Sequence, residues 1–305
     1  MKIFNLCILF LCLFCACNDD DSTDDPDTPD QIKLNGFSYV ESNQSYDATV
    51  STLAEALTAA GPIKVVAQVD HKANAASVDQ TLNNTSVILF GNPALGTPLM
   101  QNNQLAGLDL PQKYLVYEDA NGITRVAFND TEYLAQRHGL EGEESLTTIN
   151  GALNNFAGMT TDTTLFTNVT DVELGEGITT KVSANSFDVT YEKLFAAIDG
   201  NPNLGIVAEV NHQTNATSVN LELRPTKLII FGNPNLGSPL MISSQTVGLD
   251  LPQKILVWET ADATVNVAYN NPTYIATRHE LNGVDEQLTT IATALDNLSN
   301  AAITE

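Results

Sequence analysis

An eleven-residue block, Phe90-Gly91-Asn92-Pro93-Ala94-Leu95-Gly96-Thr97-Pro98-Leu99-Met100, returns as Phe231-Gly232-Asn233-Pro234-Asn235-Leu236-Gly237-Ser238-Pro239-Leu240-Met241, 141 residues on. Gly107 to Lys113 returns at the same offset as Gly248 to Lys254, and Arg137-His138 as Arg278-His279. Residues 90–142 and 231–283 share 30 identities in 53 positions without a gap. The register extends upstream, where His71 meets His212. A period this long describes tandem domains rather than a solenoid, whose units run to roughly 20–50 residues. The chain of 305 residues is therefore read as two similar domains, 34–158 and 175–301, joined by a linker at 159–174.

Within each copy, period and punctuation place the elements. Val50, Leu53, Ala54 and Leu57 have helical spacing between Asp47 and Ala60, and Gly61-Pro62 stops that helix. Ile63 to Val69 alternates as a strand, and Val87 to Phe90 is a short buried one. Asn92 and Pro93 suit the N-cap and first turn of a helix. Tyr114–Glu118 and Thr124–Phe128 flank a turn at Asn121-Gly122 and predict a hairpin. Asn129 is expected to cap a helix to His138 with Gly139 as its exit, and a last helix covers Leu146 to Phe156. The expected fold class is α+β: two tandem copies of a mainly antiparallel sheet covered by helices on one face.

All four cysteines, Cys7, Cys12, Cys15 and Cys17, lie in the first 17 residues. The repeated domains thus have no disulfide, cysteine nucleophile or thiolate site and must be held by packing. Ahead of them, Lys2 precedes a 14-residue apolar run, Ile3 to Ala16. That run is shorter than the about 20 helical residues needed to cross a bilayer and matches the core of a signal peptide (residues 1–16). Ala16-Cys17 resembles the lipobox of bacterial lipoproteins, with Cys17 becoming the N-terminus that carries acyl chains such as palmitate. The next stretch, residues 17–33, is acidic and poor in apolar side chains, which describes a flexible tether. An acidic stretch after such a cysteine also resembles a signal for display on the cell surface. The expected location is the envelope of a Gram-negative bacterium, anchored by lipid to the outer membrane. A formal net charge of −24, with no Lys/Arg cluster, makes nucleic acid a poor partner.

Several blocks together resemble the bacterial domain-of-unknown-function 302 family. They are Asp70-His71 after its strand, the Phe-Gly-Asn-Pro…Pro-Leu-Met block from Phe90, the Gly107 to Pro111 block, Tyr117-Glu118-Asp119, and Asn129-Asp130 with Leu134 to Arg137. The resemblance covers each copy nearly end to end and implies an α+β fold that associates in pairs, with no established activity. The second copy departs at Asn211, in place of Asp70, and at Thr260, in place of Asp119.

The four histidines fall in two matched pairs, His71/His212 and His138/His279. Val65, Ala67 and Val69 share one parity of their strand, which puts His71 on the core-directed side. Glu118 and Glu259 end another strand on the parity of Val116 and Val257. If those strands are neighbours, an imidazole and a carboxylate meet at the sheet edge. Such a pair orients a water or, through His71 and His212, holds a metal, with Arg137 or Arg278 steadying an anion. The alternative is a hydrogen-bonded histidine closing a strand end. His138 and His279 read as cations at helix C-termini. Asp109 and Asp250 read as turn caps. The Gly91-Asn92-Pro93 corner offers a helix N-terminus but lacks the glycines and lysine of a phosphate loop. No complete catalytic set is present, and no cofactor is required by the sequence.

The reading that follows is a non-catalytic envelope protein whose copies pack as an intrachain pseudo-dimer and bind a small molecule or a protein partner. Its competitors are a hydrolase or metal-dependent enzyme built on the His–Glu pairs, and a structural surface spacer.

Overall fold

The computed structural model describes residues 32–305. The expected signal peptide, Cys17 and the expected tether up to residue 31 lie outside the described residues. The first copy runs β1 (Phe37–Glu41), α1 (Tyr46–Ala59), β2 (Lys64–Asp70), α2 (His71–Ala76), β3 (Thr85–Gly91) and α3 (Pro93–Asn102). A 3-10 turn (Gln104–Leu108) then leads to β4 (Gln112–Glu118), β5 (Thr124–Asn129), α4 (Thr131–His138) and α5 (Glu144–Gly158). After β6 (Phe166–Thr167), the second copy repeats the order with β7 (Ile178–Val182), α6 (Phe187–Asp199), β8 (Gly205–Asn211), α7 (His212–Thr217), β9 (Thr226–Gly232) and α8 (Pro234–Ser243). It continues through a second 3-10 turn (Gln245–Leu249), β10 (Gln253–Glu259), β11 (Val265–Asn270), α9 (Pro272–Arg278) and α10 (Asp285–Ile303).

The architecture is α+β, with two antiparallel sheets. Their strand orders are β2-β3-β4-β5-β1-β6 and β7-β11-β10-β9-β8. β6 lies in the segment expected to be a linker and pairs with β1 through Ser38 and Tyr39. That segment therefore adds an edge strand to the first sheet.

Period-2 alternation gives each sheet two different faces. In the first copy, Ile88, Phe90, Tyr114, Val116 and Phe128 turn toward α1 and α5 and form a core with Leu53, Leu57, Ile149 and Leu153. Their neighbours of opposite parity, Val87 and Leu89, join Leu228, Ile230, Leu256 and Trp258 of the second copy in one buried cluster. The helices cover one face of each sheet, and the other face of each is closed by the partner copy. Lys33–Glu305 accordingly form one compact unit.

Two glycines are set by that closure. A Cβ at Gly248 would stand 2.8 Å from Leu115 Cδ1, and one at Gly107 would stand 3.1 Å from Leu256 Cδ1. The repeated Gly-Leu-Asp-Leu-Pro block thus keeps its glycine because the other copy's sheet approaches there.

Caps explain the helix starts. Asn92 Oδ1 accepts from Ala94 N at 3.0 Å, with Pro93 at the first helical position. The α4 cap is Asp130 and not Asn129: Asp130 Oδ1 accepts from Tyr133 N at 2.7 Å. Asn129 is the last residue of β5, and its side chain is used across the copies.

Candidate functional site

β2 does not alternate as expected. A bulge between Val65 and Ala67 breaks the parity, leaving Val65 exposed while Val69 is buried. His71 is therefore not a strand residue at all but the first residue of α2, where Asp70 Oδ1 accepts from Ala73 N at 2.9 Å. In the second copy Asn211 caps α7 through Thr214 N at the same 2.9 Å, so replacing the acid leaves the cap intact. Thr260 replaces Asp119 together with a second change. Asp119 pairs with Arg125, and the residue equivalent to Arg125 is Asn266.

The expected His–Glu pairs do not form. β3 lies between β2 and β4, so His71 and Glu118 are not on neighbouring strands. β9 separates His212 from Glu259 in the same way. Glu118 accepts instead from Asn84 Nδ2 at 3.5 Å, and Glu259 ends β10 half-buried. Arg137 and Arg278 are also elsewhere. Arg137 donates to Asp109 Oδ2 at 2.7 Å and across the copies to Asn270 Oδ1 at 3.0 Å. Arg278 donates to Asp250 Oδ2 at 2.8 Å and across to Asn129 Oδ1 at 2.7 Å.

His138 and His279 belong to this central network rather than to solvated helix ends. Their Nε2 atoms lie 2.7 and 2.8 Å from the same carboxylate oxygens of Asp109 and Asp250. Asp109 and Asp250 do cap the two 3-10 turns, closing them through their backbone N–H groups, while their buried side chains act as acceptors. Burial alone would raise the Asp109 carboxyl, but Arg137 and then His138 outweigh it and hold it well below the usual carboxylate range. Asp250 is held down likewise by Arg278 and His279. Tyr133 and Tyr274 meet at the centre with hydroxyls 3.1 Å apart. The guanidinium of Arg278 lies 4.1 Å from the Tyr133 ring, and that of Arg137 lies 5.1 Å from the Tyr274 ring.

The site that remains is a pair of cavities, each built from both copies. His71 and Asn74 of α2 close a cavity of about 220 Å³ whose other walls come from the second copy. Those walls include Ile206, Phe231, Leu236, Met241 and Leu295, with Ser238 on α8. His212 closes an equivalent cavity of about 330 Å³ formed by the first copy, including Val66, Leu95, Met100 and Ile149, with Thr97 on α3. His71 Nε2, Ser238 Oγ, His212 Nε2 and Thr97 Oγ1 are all buried and have no hydrogen-bond partner. Buried polar atoms of this kind normally have one. Burial pushes both imidazoles down to about 4, against a raising influence of Asp70 on His71 and of the Gly107 backbone on His212. Both are neutral at pH 7.

Each cavity is mostly apolar, and besides its neutral imidazole and buried hydroxyl its lining includes Asn74, Asn233 and Gln253 at His71, and Asn92, Gln112, Asn211, Thr214 and Asn215 at His212. Lys64 and Glu209, both exposed, flank only the His212 cavity. The helix N-terminus at each corner is already closed, since Leu95 N and Gly96 N donate to Asn92 O, and Leu236 N and Gly237 N to Asn233 O. An anion has no free N–H group there. His71 and His212 lie in separate cavities, and among the described residues no group of three His, Cys, Asp or Glu side chains converges on a metal position. The sequence reading passes over Thr97 and Ser238. Their signal is the hydroxyl kept at one position inside a block whose other residues, apart from Asn92, Asn233 and Asn235, are apolar, Gly or Pro.

Part of the chain is similar to curated proteins named fluoride-specific ion channel. With FluC 1 of Brucella suis biovar 1 (strain 1330) it is 41% identical over 105 residues, 34% of this chain and 41% of that protein. With FluC 1 of Brucella abortus biovar 1 (strain 9-941) it is likewise 41% identical over 105 residues, 38% of that protein. The match thus spans about two fifths of the length of these relatives. A crystal structure titled uncharacterized conserved protein DUF302 from Bacillus stearothermophilus is similar at 16% identity, with a TM-score of 0.38. That match covers 42% of this chain and 98% of the other. The family described as Domain of unknown function DUF302 matches residues 38–156 and again 178–298. The chain belongs to the DUF302 family, twice over.

Proposed function

We propose that this chain is a lipid-anchored envelope protein in which two DUF302 copies act as an intrachain pair to bind small, uncharged, largely apolar molecules. The observation that carries this reading is the cavity lined by His71 of one copy and Ser238 of the other, with its counterpart at His212 and Thr97. In each, two buried polar atoms lack partners within the chain, and a ligand carrying one hydrogen-bonding group would supply them. The anchor is Cys17, after a signal peptide, on the residue pattern of a lipobox.

A hydrolase or metal enzyme built on His–Glu pairs has less support. Glu118 is held by Asn84, away from His71, and no carboxylate lines the His71 cavity. A spacer leaves the four unpartnered atoms without a reason.

Native mass spectrometry of full-length protein extracted from the envelope tests the proposal, comparing the natural chain with a His71→Phe/His212→Phe variant. A non-covalent mass should accompany the former and be absent from the latter. No such mass on the natural chain, or equal retention by the variant, would overturn the binding reading.

A further inference from the structure

The two ligand cavities are built alike and differ most in charge. Lys64 on β2 lines the His212 cavity, and its equivalent at the His71 cavity, 141 residues on, is Gly205. Lys64 is exposed, and its side chain has no hydrogen bond or ion pair among the described residues. His212 Nε2 and Thr97 Oγ1 are buried in the same cavity. Two unpartnered polar atoms inside are therefore matched by one unpartnered ammonium group at the mouth.

Glu209, the other charged residue of this lining, is engaged elsewhere. Its Oε2 accepts from the Tyr191 hydroxyl at 2.8 Å, and Lys227 Nζ lies 4.6 Å from the centre of that ring. The Glu209 charge is thus offset within the second copy, and Lys64 is left as the free cation of the cavity. The lining of the His71 cavity includes no Lys, Arg, Asp or Glu. A chain with a formal net charge of −24 repels anions, so an anion is held only where a local cation outweighs that field.

We propose that the His212 cavity selects a small apolar monocarboxylate, its carboxylate on Lys64 and a hydroxyl at His212 and Thr97, while the His71 cavity selects the uncharged counterpart. This rests on the cavity reading above and adds to it the charge of one ligand. The apolar body lies against Val66, Leu95, Met100 and Ile149. A charge-assisted hydrogen bond from an ammonium to a carboxylate is stronger than a neutral one, whereas a carboxylate beside Gly205 keeps only its water. A second carboxylate would find no second free cation in the lining, which sets the class at one negative charge. A Cβ at Gly205 meets nothing within 4 Å, so the missing cation can be grafted onto the other cavity.

Solution NMR of the full mature chain tests this, with the ring protons of His71 and His212 reporting the two cavities separately. The probes are para-hydroxyphenylpropanoate and the matching alcohol, para-hydroxyphenylpropanol. The alcohol should shift both histidines. The carboxylate should bind at His212 about fivefold more tightly than at His71. Lys64→Met should abolish that preference, and Gly205→Lys should bring the carboxylate to His71 as well. Equal carboxylate affinity at both histidines, a preference that survives Lys64→Met, or no gain in Gly205→Lys overturns the proposal and leaves the cavities standing. If neither probe shifts either histidine, the cavity reading falls with it.

Discussion

His71 of the first copy and Ser238 of the second line one cavity, each with a buried polar atom that has no partner in the chain. His212 and Thr97 repeat the relationship with the copies exchanged. A buried unpartnered donor or acceptor costs roughly 1–3 kcal/mol. It occurs at matched positions in both copies, and a ligand in the proposed cavities would supply the missing partners.

The two imidazoles make stability fall in mild acid. Burial holds each histidine at a folded pKa of about 4, below the ordinary imidazole value of 6.5. Between those values the unfolded chain binds more protons, so stability drops as pH falls from about 6.5 toward 4. Asp109 and Asp250, held well below 3.8, extend the loss below that window with the same sign. Urea unfolding at pH 7 and pH 5 should show the loss, and His71→Gln/His212→Gln should flatten it. An unchanged slope in the variant would assign the acid sensitivity to other groups.

The central network should be far more sensitive to truncation than a surface pair. Asp109→Ala leaves Arg137 and His138 buried without their shared acceptor and should cost about 3–5 kcal/mol in denaturant unfolding. Half-buried Lys181 pairs with the exposed Asp296, and Asp296→Ala should leave the midpoint nearly unchanged. Similar losses in both variants would contradict the network's role.

Much of the fold is legible in the sequence because the repeat and the hydrophobic period are local. The spacing of Leu53 and Leu57 finds α1, and Asn92-Pro93 finds the start of α3. β1 and β7 escape, being short strands that find partners far along the chain, β1 with β5 and β7 with β11. The His71–Glu118 pairing fails because strand order is non-local: β3 intervenes, and a bulge moves the register of β2. Arg137 is visible as a matched residue, but its partner Asn270 is 133 positions away and belongs to the other copy. Sequence period places a residue on a face. It does not say which copy that face meets.

The proposed anchor rests on one side chain. Cys17→Ser should move the protein from the membrane to the soluble fraction, because acyl chains on that residue are what the proposal relies on to hold it there. Fractionation with a high-salt wash checks this. A variant that stays membrane-bound would mean a different attachment.

The central claim is that the copies work as a pair. Separated, residues 34–174 and 175–305 would each expose the sheet face that carries Leu89 or Ile230, and each would lose one half of both cavities. In one chain the short connection keeps the copies at high effective concentration, so the full mature protein should be a monomer. Equilibrium sedimentation of the full chain and of each copy decides the matter. The account expects a monomeric full chain, with isolated copies that dimerise through this face or unfold at lower denaturant. Isolated copies that are monomers as stable as in the full chain would contradict it.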